Sequence, residues 1–110
     1  VDAKAMSATW LGERYAIEPA LIDAMRRDGE LIAFLEPGAT EWLYPTWQFE
    51  KGRPHHAIRR LVRAARETGI DDTRLHTILN ARRGLHGNGR VYELLFEGRD
   101  DDVVELVRAG

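Results

Sequence analysis

The sequence predicts an α+β fold, mostly helical, in two halves: residues 1–52 with a pair of helices and a small β-hairpin, and residues 53–110 as a helical subdomain. Three observations carry this. Apolar residues recur at helical spacing near both ends of the chain, while only residues 31–44 read as paired β-prone runs around a turn. The Lys51-Gly52-Arg53-Pro54 break divides the chain near its middle. The charge balance changes sign at the same place, from −4 over residues 1–52 to +6 over residues 53–90, and returns to −4 over residues 91–110.

Ser7 is placed to cap a first helix, Ala8 to Tyr15, whose Trp10, Leu11, Arg14 and Tyr15 share one face. Ala16, Ile17 and Glu18 form a short turn. Pro19 then opens a second helix at its first position, and Leu21, Ile22 and Met25 lead to Arg26 and Arg27 before Gly29 supplies a left-handed cap. Helix, short turn and helix make the minimal helix-turn-helix arrangement. Leu31 to Leu35 and Thr40 to Tyr44 read as two strands of a hairpin around Pro37-Gly38, and Pro45 ends the second because it cannot donate to a ladder.

Beyond the break, Ile58, Leu61, Val62 and Ala65 form an apolar stripe, with Arg59, Arg60, Arg63 and Arg66 on the other sides and Gly69 as the stop. Asp71 or Asp72 caps the next helix, which carries Leu75, Ile78 and Leu79 and ends near Arg82-Arg83-Gly84. Residues 84–89 are a glycine-rich connection. A short helix from Val91 to Leu95 ends at Gly98, and Asp100 to Asp102 lead a last helix through Val103, Val104, Leu106 and Val107. Each half is too small to be stable alone, so the two are expected to dock, with Trp42, Tyr44, Trp47 and Phe49 as candidates for the shared core.

With 44% apolar and 31% charged residues the chain has the composition of an ordinary soluble domain, and no run approaches the length of a membrane span. It contains no cysteine, which excludes disulfides, thiol catalysis and cysteine-ligated metals and makes the cytoplasm the expected compartment. Ser7, the single serine, sits at a cap rather than in a nucleophile's setting. His55-His56, His76 and His86 lack metal-ligand spacing, and Gly84, Gly87 and Gly89 lack the lysine and the preceding strand of a phosphate loop. No enzyme, cofactor or metal is expected.

Residues 8–44 resemble the winged helix-turn-helix of excisionase-like and MerR-like DNA-binding proteins, on the helix Ala8 to Tyr15, the second helix, and the step Gly29-Glu30-Leu31-Ile32-Ala33 that leads to the wing. The resemblance implies a second helix in the major groove, with Arg26 and Arg27 on phosphates or base edges and Asp23 facing the groove. Compensation of the helix dipole explains the two arginines equally well. Arg59, Arg63 and Arg66 on successive turns fit a phosphate backbone, and they fit a solvated charged face too. Fourteen of the sixteen basic residues are arginine, whose planar fork suits phosphate.

Residues 57–109 resemble the toxin-binding domain of Xre/MbcA/ParS-type antitoxins, through Ile78-Leu79, Leu85-His86-Gly87, Leu94-Leu95, Gly98 and Val103-Val104. This implies a toxin partner, often an RES-domain enzyme that degrades NAD. Contacts are then expected through Leu85, Gly87, Leu94, Leu95, Asp101, Glu105 and Arg108. Acidic residues at a helix start are also favourable without a partner. Together the readings give a non-enzymatic, antitoxin-like transcriptional regulator, forming a homo-oligomer such as a dimer, that binds operator DNA and a partner toxin. The alternative is a protein-protein adaptor that never meets DNA.

Overall fold

A computed structural model describes residues 5–83 and 89–110. Its element order is β1 (Ala5–Ser7), α1 (Ala8–Tyr15), α2 (Pro19–Arg27), β2 (Leu43–Pro45), β3 (Phe49–Glu50), β4 (Arg53–Pro54), α3 (Ile58–Glu67), α4 (Asp72–Leu79) and α5 (Asp100–Ala109), with 3₁₀ turns at Thr46–Gln48 and Val91–Glu97. The fold is α+β and mostly helical, as the periodicity predicts.

The expected caps form. The Ser7 side chain accepts from the Trp10 N–H, Pro19 opens α2, and the Asp71 carboxylate accepts from the Arg74 N–H at the start of α4. Gly29 takes φ +81° beyond α2. Gly12 is needed for another reason: a Cβ there would stand 2.6 Å from the Ile17 carbonyl oxygen, so α1 and the turn approach too closely for any side chain.

The sheet departs from expectation. Pro37 and Gly38 do form a turn, closed by the Ala39 N–H on the Glu36 carbonyl with Gly38 at φ +78°, the pattern of a type II turn. The flanking runs, however, share only the single bridge Phe34 to Leu43, and β2 pairs antiparallel with β1 instead, Met6 opposite Tyr44. The reason lies in Leu31-Ile32-Ala33. This extended segment is buried on both faces: Leu31 and Ala33 enter one core and Ile32 the other. A strand sandwiched in this way reads as an unbroken apolar run, not as an alternating hairpin strand.

Two cores result. One gathers Leu11, Ile22, Leu31, Ala33 and Tyr44, with Trp42 and Phe49 packed on it. The other gathers the apolar faces of α3, α4 and α5 with Val91, Leu94 and Leu95, and Trp47 packs on it. The four aromatics at the seam are therefore divided between the cores. The break at Lys51-Gly52 is a two-residue hairpin turn joining β3 to β4, both residues having positive φ as a type I′ turn requires.

Gln48 holds the seam. Its side chain is fully buried, accepts from the Ile32 N–H at 2.8 Å and donates to the Ile32 carbonyl at 2.8 Å and the Pro45 carbonyl at 3.0 Å. It gives Ile32 the two hydrogen bonds that a neighbouring strand would have given. Phe34 stacked on His76 at 3.9 Å and the Leu35 N–H on Thr73 Oγ1 add further ties between the halves. The radius of gyration is 13.4 Å, near the roughly 13 Å of one compact unit of this length.

Candidate nucleic-acid interface

α1, the three residues Ala16 to Glu18 and α2 place α2 on the surface with only its inner face committed. Ile22 is buried against Leu11, and Met25 is half-buried beside them. At 100° per residue the opposite side carries Ala20, Ala24 and Arg27. Two alanines and a terminal arginine leave the backbone of α2 open to close approach. Arg27 is exposed and makes no ion pair among the described residues. Leu21 (53% exposed) and Trp10 (38% exposed) flank this side.

Asp23 and Arg26 do not stand where the sequence puts them. Asp23 accepts a 2.6 Å hydrogen bond from the Tyr44 hydroxyl, and Arg26 Nε donates to the same oxygen at 3.3 Å. The Arg26 guanidinium also lies 4.2 Å over the Trp42 ring. Both side chains are turned toward β2, so they fasten α2 to the strand rather than facing a groove. Burial first, and then the bond to Asp23, hold the Tyr44 phenol protonated far above its ordinary range. Trp42 and Tyr44, two apart in a β-prone run, were the sequence signal for this clamp, but nothing in the sequence says that α2 lies against them.

The arginine array on α3 is divided as well. Arg59 is paired with Glu30 and Arg60 with Asp101. Arg66 donates to the Arg26 carbonyl at 3.2 Å, placing its charge at the carboxyl end of α2, where the helix dipole favours a cation. Arg66 and Arg26 also draw down the carboxyl of nearby Asp72, although burial, the larger effect, leaves it raised. Arg63 is exposed and without an ion pair among the described residues. It borders an open cleft of about 500 Å³ between the end of α2 and α3, lined also by Asp28, Arg59, Arg66 and Glu67. Of the five arginines expected on a positive face, Arg59 is thus neutralised by Glu30, Arg26 and Arg66 are held by uncharged groups, and Arg27 and Arg63 make no ion pair among the described residues.

The expected partner contacts divide similarly. Leu94 and Leu95 are 8% and 2% exposed and belong to the second core, so they support a surface without forming it. Leu85 and Gly87 lie outside the described residues. Asp101 pairs with Arg60 and Arg108 with Glu67, whereas Glu105 is exposed next to Leu106, which is 45% exposed. Among the described residues no helix is long and apolar enough to cross a membrane.

No protein-family model matches the chain, and no curated protein matches it. Among solved structures, the chain is similar to the NMR structure of Rv2175c at 19% identity with a TM-score of 0.78, over 98% of this chain and 81% of that one. At that identity the likeness shows a shared fold.

Proposed function

We propose that the chain is a DNA-binding regulator that lays α2 in the major groove, with Arg27 and Arg63 as phosphate contacts. The observation that carries the reading is the 8-residue helix, three-residue turn and 9-residue helix whose outward face is Ala20, Ala24 and Arg27. This is the arrangement a recognition helix needs: inner face in a core, outer face small enough to enter a groove. The clamp of Tyr44 on Asp23 and Arg26 supports it by fixing the angle of α2 against β2. The second half serves as the partner-binding side, its exposed surface being that of α5 at Asp101, Glu105 and Leu106. A toxin is the partner class that the antitoxin resemblance implies.

Fluorescence anisotropy with labelled fragments from upstream of the chain's own reading frame tests this. At about 50 mM salt the intact chain should bind, and affinity should fall steeply as salt rises, because released counterions drive the contact. Arg27→Ala should weaken binding by about tenfold. Absence of any binding at low salt sinks the reading.

A second reading, the adaptor that never meets DNA, is favoured by one observation: Arg59 and Arg60 are already held by the molecule's own Glu30 and Asp101. On this reading the exposed Trp10 and Leu21 meet a protein. That contact survives salt that abolishes nucleic-acid binding.

A further inference from the structure

The segment from β3 to α3 brings two imidazoles against the first turn of α5. His55 and His56 stack with ring centroids 4.3 Å apart. His56 Nε2 lies 3.0 Å from Asp100 Oδ2, and one ligand atom each from His55, His56 and Asp100 all lie within 4.8 Å of one another. Glu50 places Oε1 3.8 Å from His55 Nε2. The other oxygen of Asp100, Oδ1, is buried and has no hydrogen-bond partner among the described residues. Two imidazoles beside carboxylates, one of them with an orphaned oxygen, are the donor set of a divalent first-row metal.

We propose that His55, His56 and Asp100, with Glu50 within reach of a fourth position, bind a divalent transition-metal cation of the zinc class. Neighbouring ligands of a tetrahedral zinc stand about 3.3 Å apart, given bonds near 2.0 Å. His56 and Asp100 already meet that spacing. The remaining contraction falls on His56, 78% exposed, and Glu50, 54% exposed, and on a small turn of the His55 ring, which is only 5% exposed. One bond opposes the site. His55 Nδ1 accepts the Ala57 N–H at 3.1 Å, which keeps the ring proton on Nε2. A cation at Nε2 displaces that proton, and the ring turns to release Ala57 as its second nitrogen becomes a donor. The site is therefore weaker than a preformed four-ligand one.

The sequence reading missed this cluster because adjacent histidines carry no ligand spacing and Asp100 lies 44 residues away, where it reads as a helix-start residue. An ion here would tie the segment between the halves to the last helix. The inference is independent of DNA binding.

The test is titration of the untagged, metal-stripped full chain with zinc chloride at pH 7.5, by calorimetry and by thermal melting, with cobalt absorption as a geometric probe. One equivalent should bind, and Tm should rise by about 10 °C at a zinc concentration roughly a hundredfold above Kd. His56→Ala and Asp100→Asn should each weaken binding by about tenfold or more while leaving the circular dichroism of the wild type. The His56 ring is exposed, so loss of binding in that variant reports the site and not the fold. No saturable binding up to about 1 mM zinc, or undiminished affinity in both variants, overturns the proposal; the His56 to Asp100 contact is then an ion pair alone.

Discussion

Gln48 shows how much one side chain can decide. Ile32, 1% exposed, pairs with no strand among the described residues, so its N–H and carbonyl depend on the Gln48 amide. Gln48→Leu keeps the volume and removes both partners, and each unsatisfied buried group costs about 1–3 kcal/mol. A loss of roughly 3–5 kcal/mol is expected in urea unfolding, a large share of the ~5–15 kcal/mol that holds a domain of this kind together. A loss below about 1 kcal/mol would show that water replaces the amide. Read along the chain, Gln48 is an unremarkable polar residue between aromatics, and its role exists only because the fold brings Ile32 to it.

At the scale of the elements, the caps and stops act locally and were legible. Ser7, Pro19, Gly29, Asp71 and Gly98 each sit where the chain order places them, because a cap bonds within three or four residues. The α1–α2 pair adds a steric condition. Gly12→Ala would drive a methyl group into the Ile17 carbonyl and the Pro19 ring, and backbone cannot yield as a side-chain tip can. A destabilisation of about 1–3 kcal/mol follows, read as a fall in Tm of several degrees. An unchanged Tm would mean that the turn relaxes freely and does not fix the pose of α2. The failed hairpin belongs to this scale too. Residues 31–35 have strand composition, yet both faces of Leu31-Ile32-Ala33 are claimed by cores, and β2 is left to β1.

For the whole molecule, acid should act through His76. Burial against Phe34 lowers its pKa from the ordinary 6.5, so below that value the unfolded chain takes up a proton that the folded chain refuses. Stability is full above about pH 6.5 and declines as pH falls toward the depressed folded value. Asp72 has the opposite sign. Its raised carboxyl takes a proton in the fold before it does in the unfolded chain, which returns some stability just above the ordinary 3.8. Melting between pH 7.5 and 5 should show a falling Tm that His76→Leu flattens; an equal slope in that variant would place the titration elsewhere. The charge pattern acts at this scale as well. The +6 middle was legible by counting, but Glu30 and Asp101 from the acidic flanks answer its Arg59 and Arg60 across the fold, and its one glutamate, Glu67, answers Arg108 of the last helix.

The sequence by itself determined the class of fold, the helices with their ends, the Pro37-Gly38 turn and the uneven distribution of charge, all of which depend on neighbours a few residues apart. Tertiary structure alone decided which strand β2 joins, which arginines pair with carboxylates, that Asp23 and Arg26 grip Tyr44, and that Asp100 meets His56. Those outcomes turn on burial and pairing between residues about 18 to 44 positions apart. Such contacts form only once two cores close around one shared segment, and no local period or cap encodes them.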